Sequence, residues 1–172
     1  MKIIIRNTVL CTAMSLALAA CQNSPVSTED NVNHSNSKVK QVMPHKNLQK
    51  ISPHSFDVTE TKIREAIAAR PLNLFGEVPH SKGAKKAGLE LSPSTLFIFG
   101  NPKGGTPLMA RNPEMGIELP LKIDVFEKDS QVIVNYSNIA AIVESYGGDA
   151  NAQPVPNIAN MLDGLVGSVI AQ

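Results

Sequence analysis

The stretch FGNPKGGTP, from Phe99 to Pro107, combines adjacent glycines, a lysine and a Thr-Pro pair at the end of an apolar run. A phosphate-binding loop needs two glycines separated by four residues, followed by Lys and Ser or Thr. Gly100 and Gly105 have that separation, but Lys103 precedes the second glycine instead of following it. The order favours a strand-turn-helix joint in which Thr106 is the N-cap and Pro107 is the first helical residue. A nest for a small anion or ligand remains the alternative. The candidate ligand-binding residues of this stretch are Asn101, Lys103, Gly104, Gly105 and Thr106.

A second group of polar residues begins at the end of the preceding predicted strand. Glu77 and His80 are three residues apart and are followed by three lysines, Lys82, Lys85 and Lys86. A carboxylate and an imidazole at this spacing can act as acid-base partners or as two ligands of a metal. Two ligands do not make a metal site, so we favour a surface histidine at a strand end. The alternative is an uncharacterised enzyme or metal-dependent protein that uses Glu77, His80 and Lys103. The residues specify no cofactor.

The amino terminus has the pattern of a bacterial lipoprotein signal. Lys2 and Arg6 precede an apolar run from Thr8 to Ala20, whose 13 residues are fewer than the roughly 20 that span a bilayer. The run ends in LAAC, Leu18 to Cys21, which resembles a lipobox. We therefore predict a signal peptide over residues 1–20 and lipid attachment at Cys21.

Lipidation determines the expected location and redox state of the chain. Two or more acyl chains anchor a protein stably, so Cys21 is expected to hold the chain on a membrane. Gln22 stands where a retention aspartate would be, which favours the outer membrane with the domain facing the periplasm. Cys11 lies in the discarded signal, so the mature chain is expected to have no free thiol. A plain signal peptide that ends near a cysteine is the alternative.

Charge and composition exclude some partners and divide the chain. The formal net charge is +1, and it becomes about −1 once Lys2 and Arg6 are removed, so no nucleic-acid partner is predicted. The segment from Gln22 to Lys46 is rich in Asn, Ser and charged residues and contains no aromatic residue, which is typical of a flexible tether. We assign residues 21–47 to the lipidated cysteine and tether, and residues 48–172 to one domain.

The periodicity of the domain predicts an α+β fold in the order β-α-β-α-β-α-β-β-α-α, with a mixed sheet of about five strands. The first helix is predicted over Glu60–Arg70 with Thr59 as its N-cap, and the last over about Asn157–Ile170. Apolar and polar residues alternate in the segments LPLKIDVFE and QVIVNY, which are therefore predicted to form a β-hairpin. The other predicted strands are Lys50–Phe56, Leu72–Val78 and Thr95–Gly100, and the other predicted helices are Ser81–Gly88, Pro107–Met115 and Asn138–Gly147.

Four segments together resemble a known bacterial family. They are His80 followed by AGLEL up to Leu91, FGNPKGGTPLM (Phe99–Met109), LPLK (Leu119–Lys122) and VNYSN (Val134–Asn138). Over about Phe56 to Ile170 the chain is similar to the family called domain of unknown function 302. The resemblance implies a compact α+β domain of TATA-binding-protein-like topology, often a homodimer, with no established enzymatic activity. It also implies a shared site at His80, Asn101, Pro102, Lys103, Gly105, Thr106 and Pro107.

The leading hypothesis is therefore a non-catalytic, lipid-anchored domain that binds a small ligand or a protein partner.

Overall fold

The computed structural model describes residues 46–172, so the predicted signal, Cys21 and most of the predicted tether lie outside the described residues. The strands are β1 (Asn47–Ser52), β2 (Asn73–Val78), β3 (Ser94–Gly100), β4 (Leu121–Lys128) and β5 (Gln131–Ser137). The helices are α1 (Phe56–Ala68), α2 (His80–Lys86), α3 (Pro102–Arg111), α4 (Ile139–Ser145) and α5 (Val155–Ile170), with a 3-10 helix at Pro113–Ile117. Within this part of the chain, no helix is both long and apolar enough to cross a bilayer.

The five strands form one sheet in the order β1-β5-β4-β3-β2, and every pairing is antiparallel. The α+β class with about five strands is confirmed, but the sheet is not mixed as predicted. Strands that are consecutive in the sequence and adjacent in the sheet are joined by a connection that leaves and re-enters the sheet at the same end. Such strands therefore run antiparallel. β1 and β2, which α1 connects, run in the same direction, but they lie at opposite edges and do not pair.

One face of the sheet packs against helices and forms the core. Phe97 and Phe99 of β3 and Ile123 of β4 are fully buried there. The predicted apolar stripe of α5 is core: Ile158, Leu162, Leu165 and Val169 are buried, and Met161 is partly buried against them. Fully burying such a side chain contributes about 1.5–3 kcal/mol.

The alternate residues of the strands face the other way and are less buried. Leu96, Ile98, Phe126 and Ile133 are half-buried on this second face. Ile51 on edge strand β1 is 57% exposed. The sheet therefore presents a partly apolar surface that the described helices leave open.

The first helix begins earlier than the sequence predicted. α1 starts at Phe56, with Ser55 as its N-cap residue, so Thr59 lies inside the first turn. The Thr59 hydroxyl is buried and donates to the Ser55 carbonyl at 2.9 Å, and it hydrogen-bonds the Ser52 hydroxyl at 2.8 Å. The Thr59 side chain thus joins α1 to the end of β1, a tertiary role that capping preferences do not reveal.

Candidate functional site

The turn between β3 and α3 is a strand-turn-helix joint, as predicted, but the helix begins five residues earlier. Asn101 is the N-cap: its side-chain oxygen accepts from the Lys103 amide at 2.9 Å, and its Nδ2 donates to the Pro71 carbonyl at 2.7 Å. Pro102 occupies the first helical position, where its missing N–H costs nothing. The prediction that Thr106 caps the helix is wrong, and Pro107 lies within α3. An Asn-Pro pair at the strand end starts the helix before the Thr-Pro pair is reached.

The first turn of α3 has no amide left for an anion. Pro102 has no N–H, and the Lys103 amide is taken by Asn101 Oδ1. The amides of Gly104 and Gly105 donate to the Asn101 carbonyl at 2.9 and 3.2 Å. A phosphate nest needs free N–H groups, so the geometry does not favour that interpretation of the glycines.

The same turn forms one wall of a pocket of about 300 Å³ at the end of the sheet where β3 ends and β4 begins. The volume is at the lower end of the range for small-molecule sites. Four predicted residues line it, namely Asn101, Gly104, Gly105 and Thr106, while Lys103 lies between lining residues. Pro102, which the family resemblance places in the shared site, also lines the pocket. The lining residues that the sequence analysis did not single out as site residues are Leu72, Phe75, Gly100, Met109, Leu119, Pro120, Leu121, Ile158 and Met161.

The adjacent glycines bring helix α3 close to the facing apolar side chains. A Cβ on Gly104 would lie 3.6 Å from Ile158 Cδ1, and one on Gly105 would lie 3.5 Å from Leu119 Cδ1. These are ordinary contact distances, so an alanine fits at either position. Its methyl group would occupy space next to the wall of the pocket.

The pocket is apolar because its walls come from side chains far apart in the sequence. Leu72 precedes β2, Leu119 precedes β4, and Ile158 and Met161 project from α5. Apolar alternation can identify each as buried, but only the fold brings them around one space.

Glu77 is held by an arginine and is not free for chemistry. The Arg64 guanidinium of α1 donates from Nε and Nη2 to the two carboxylate oxygens, each at 2.8 Å. This pairing lowers the pKa of the Glu77 carboxyl, against the opposing effect of burial. Arg64 also lies 5.3 Å from the centre of the Phe97 ring. The Glu77 carboxylate therefore connects β2 to α1.

The structure does not bring Glu77, His80 and Lys103 together. Glu77 lies near the end of β2 and pairs with Phe97 in the middle of β3, and His80 begins α2 just beyond the end of β2. Lys103 follows Gly100, at the other end of β3. Phe97 and Gly100 are three positions apart in β3, so the two groups are separated by about 10 Å along the strand alone. Among residues 46–172 no cluster of three His, Cys, Asp or Glu side chains could hold a metal.

His80 instead lies near a half-buried carboxylate on the open face of the sheet. Burial raises the pKa of the Asp124 carboxyl, and the charge of His80 and the Ser94 hydroxyl, 3.5 Å away, oppose that rise. The arrangement is two titratable groups at a sheet surface, separate from the pocket.

A polar cluster lies where the described chain enters the domain, at the same sheet end as the pocket. Lys46 Nζ donates to Glu118 Oε1 at 2.7 Å, and the Tyr146 hydroxyl donates to the same oxygen at 3.2 Å. The hydrogen bond from Lys46 is the main cause of the lowered pKa of the Glu118 carboxyl. Lys122 Nζ donates to the carbonyls of Glu118 and Pro120, at 2.8 and 3.0 Å. These bonds fix the segment that carries Leu119 and Pro120 into the pocket wall.

Comparison with known proteins identifies the domain. The family model described as "Domain of unknown function DUF302" matches residues 48–169. The chain belongs to this family. The DUF302 domain also matches the crystal structure of an uncharacterized conserved DUF302 protein from Bacillus stearothermophilus with a TM-score of 0.65. That match covers 72% of this chain and 98% of the other at 14% identity, so it shows the shared fold.

Three curated relatives match a shorter stretch. A protein named fluoride-specific ion channel FluC 1 from Brucella suis biovar 1 is 39% identical over 79 residues, which cover 46% of this chain and 31% of the relative. Proteins named fluoride-specific ion channel FluC 1 from Brucella abortus and FluC 2 from Brucella melitensis match at the same identity, over 29% of their lengths. The chain thus aligns with less than a third of each of these relatives.

Proposed function

We propose that this chain is a lipid-anchored, non-catalytic envelope protein whose DUF302 domain binds a small apolar molecule in the pocket beside α3. The observation that carries the proposal is the 300 Å³ space enclosed by leucine, isoleucine, methionine and phenylalanine side chains at the turn that the family motif specifies. Apolar surface removed from water stabilises a complex by about 25 cal/mol per Å². None of the lining residues is charged.

The polar groups around the pocket already have hydrogen-bond partners within the protein, which favours an apolar ligand over a polar one. Both polar atoms of the Asn101 side chain are hydrogen-bonded within the fold. Among the described residues, no buried side-chain nitrogen or oxygen is without a hydrogen-bond partner. A ligand would therefore gain its affinity from apolar contact, with polar contacts confined to the mouth of the pocket.

Attachment to the outer membrane through Cys21 is part of the proposal and is supported by the residues Leu18 to Cys21 followed by Gln22. The curated relatives are named as fluoride-specific ion channels, so the matched stretch occurs in proteins whose names place them in a membrane. Channel activity is not proposed for this chain, because it aligns with less than a third of those proteins.

A homodimer through the open face of the sheet is the second interaction that we propose. Its support is the partly apolar surface that includes Ile51, 57% exposed, and Val78, 40% exposed. Sedimentation equilibrium of the chain without its first 21 residues should give twice the monomer mass at micromolar concentration. A monomer mass at every concentration would reject the dimer.

The alternative enzyme or metal-dependent protein has weaker support. It requires Glu77, His80 and Lys103 in one site, and the structure leaves Lys103 at the opposite end of the sheet from the other two.

Pocket binding is tested with N-phenyl-1-naphthylamine, a neutral probe that fluoresces in apolar surroundings. The double variant Gly104→Ala, Gly105→Ala places two methyl groups against the pocket wall, and we expect it to weaken probe binding at least tenfold. The matched control is Gly83→Ala, Gly167→Ala, in which two other helical glycines with no atom within 4 Å of the added Cβ are replaced. Both variants gain helix propensity, so a difference between them reports on the pocket. Equal probe affinity in all three proteins would reject the proposed site.

A further inference from the structure

The lining of the pocket restricts the kind of apolar molecule that it can hold. Apart from Phe75, the apolar side chains around it are aliphatic or thioether groups, among them Met109 and Met161. Methionine is unbranched and flexible, so it adapts to a partner without a fixed shape. Phe75 supplies the one aromatic ring among the lining residues, so most of the contact with any ligand would be aliphatic. The lining is better matched to a flexible alkyl chain.

The volume limits the length of such a chain. If each methylene-sized group occupies about 30 Å³, as a water molecule does in the liquid, then a pocket of about 300 Å³ holds about ten of them. A longer chain would leave its remaining carbons outside.

One unpaired cation lies beside the lining. Lys103 is exposed and stands between the lining residues Pro102 and Gly104. Within residues 46–172 its ammonium group makes no ion pair, whereas Lys46 and Arg64 both contact carboxylates. Thr106, an exposed residue that lines the pocket, lies about one helical turn further on. A ligand whose apolar part fills the pocket and whose head group lies at the first turn of α3 would be near Lys103 and Thr106.

We propose, building on apolar binding in this pocket, that its ligand is an unbranched acyl chain of about ten carbons with an anionic head group, which Lys103 contacts. A free fatty acid supplies both parts. The acyl chains on Cys21 supply the apolar part alone, and the predicted tether of about 25 residues gives them a reach of roughly 25–30 Å. The described chain begins at Lys46, at the same sheet end as the pocket.

The decisive experiment is calorimetric titration of the chain without its first 21 residues. Residues 46–172 contain a hydrophobic core of their own, so this protein is expected to fold. The probes are the straight-chain carboxylates from hexanoate to tetradecanoate, below their micelle concentrations. We expect affinity to rise about fourfold per added methylene up to about ten carbons and then to level off.

The head group is tested with two lysine variants and an uncharged probe. Lys103→Gln should weaken decanoate binding about threefold and leave 1-decanol binding unchanged. Lys86→Gln, in the exposed basic helix α2, should change neither. An equal effect of Lys103→Gln on both probes, or none on decanoate, would overturn the role of Lys103.

The outcomes separate this inference from pocket binding itself. Binding of N-phenyl-1-naphthylamine, sensitive to the Gly104 and Gly105 substitutions, together with no calorimetric response to any carboxylate, would overturn the acyl-chain inference and leave the proposed function intact. If neither the naphthylamine nor any carboxylate binds, both are rejected. Full-length lipidated protein in vesicles tests the source. Unchanged decanoate affinity supports a free fatty acid, whereas blocked decanoate binding would indicate that the chain's own acyl group fills the pocket and would overturn the anionic head group.

Discussion

At the scale of single residues, two carboxylates on this sheet have pKa shifts of opposite sign. Arg64 lowers the pKa of Glu77 through two hydrogen bonds, so the carboxylate form is favoured in the folded protein. Burial raises the pKa of Asp124, so its charged form is disfavoured there. Glu77 thus stabilises the fold above its unfolded-state pKa of about 4.3, and this contribution is lost as pH falls through the lowered value. Charged Asp124 opposes folding, most strongly at pH values above its raised pKa.

We therefore predict opposite effects of two isosteric substitutions at pH 7. Glu77→Gln should lower the free energy of unfolding by about 1 kcal/mol, because it removes a partly exposed, bidentate ion pair. Asp124→Asn should raise it, because a half-buried charge is removed. Urea denaturation at a series of pH values measures both. As the pH falls, the Asp124→Asn difference should shrink first, through the raised pKa of Asp124, and the Glu77→Gln difference should shrink only at lower pH, through the lowered pKa of Glu77. The assignment is wrong if Asp124→Asn destabilises at pH 7 or if the Glu77→Gln effect grows in acid.

At the scale of elements, helix α3 depends on one side chain at its start. Asn101 caps the first turn and also holds the Pro71 carbonyl, so it joins α3 to the segment that leads into β2. That segment continues through Leu72, which lines the pocket. The cap is therefore a positioning residue for the pocket wall.

Substitution of Asn101 should separate these two roles. Asn101→Ala removes both bonds, and we expect a loss of about 2 kcal/mol in the free energy of unfolding, with weaker binding of the naphthylamine probe. Asn101→Asp keeps the cap acceptor and removes the Nδ2 donor, so its loss should be about half as large. Asn112→Ala is the control, since Asn112 caps the 3-10 helix by accepting from the Glu114 amide and does not line the pocket. If Asn112→Ala weakens binding of the naphthylamine probe as much as Asn101→Ala does, then the loss of binding reflects lower overall stability and not the position of the pocket wall.

At the scale of the whole molecule, the proposed lipid anchor determines where the protein resides. If Cys21 carries lipid, Cys21→Ser should abolish labelling by a fatty-acid probe and release the protein from the membrane fraction, because stable anchoring requires the acyl chains. Cys11→Ser lies within the predicted signal and should change neither result. Membrane association of the Cys21→Ser protein would contradict the lipoprotein hypothesis.

Several features of the domain follow from local sequence. The α5 stripe, the β4–β5 hairpin and the strand-turn-helix character of FGNPKGGTP were all predictable, because each depends on periodicity or turn chemistry within a few residues. Asp129 and Ser130, at the hairpin turn, have φ values of 50° and 60°, which short polar side chains tolerate. The exact helix starts were not predictable, because Asn101 and Thr106 are both plausible caps and a tertiary contact with Pro71 favours the first.

The sequence by itself determined the α+β class, the family and the glycine-rich turn as the place to look, since these reside in residue types and their spacing. Only the tertiary structure decided that the turn is a wall of an apolar pocket, that Glu77 is engaged by Arg64, and that Lys103 is far from His80. The physical reason is that a pocket consists of surfaces that meet in space. Leu72, Leu119 and Ile158 are separated by dozens of residues, and the antiparallel strand order and the packing of α5 bring them together.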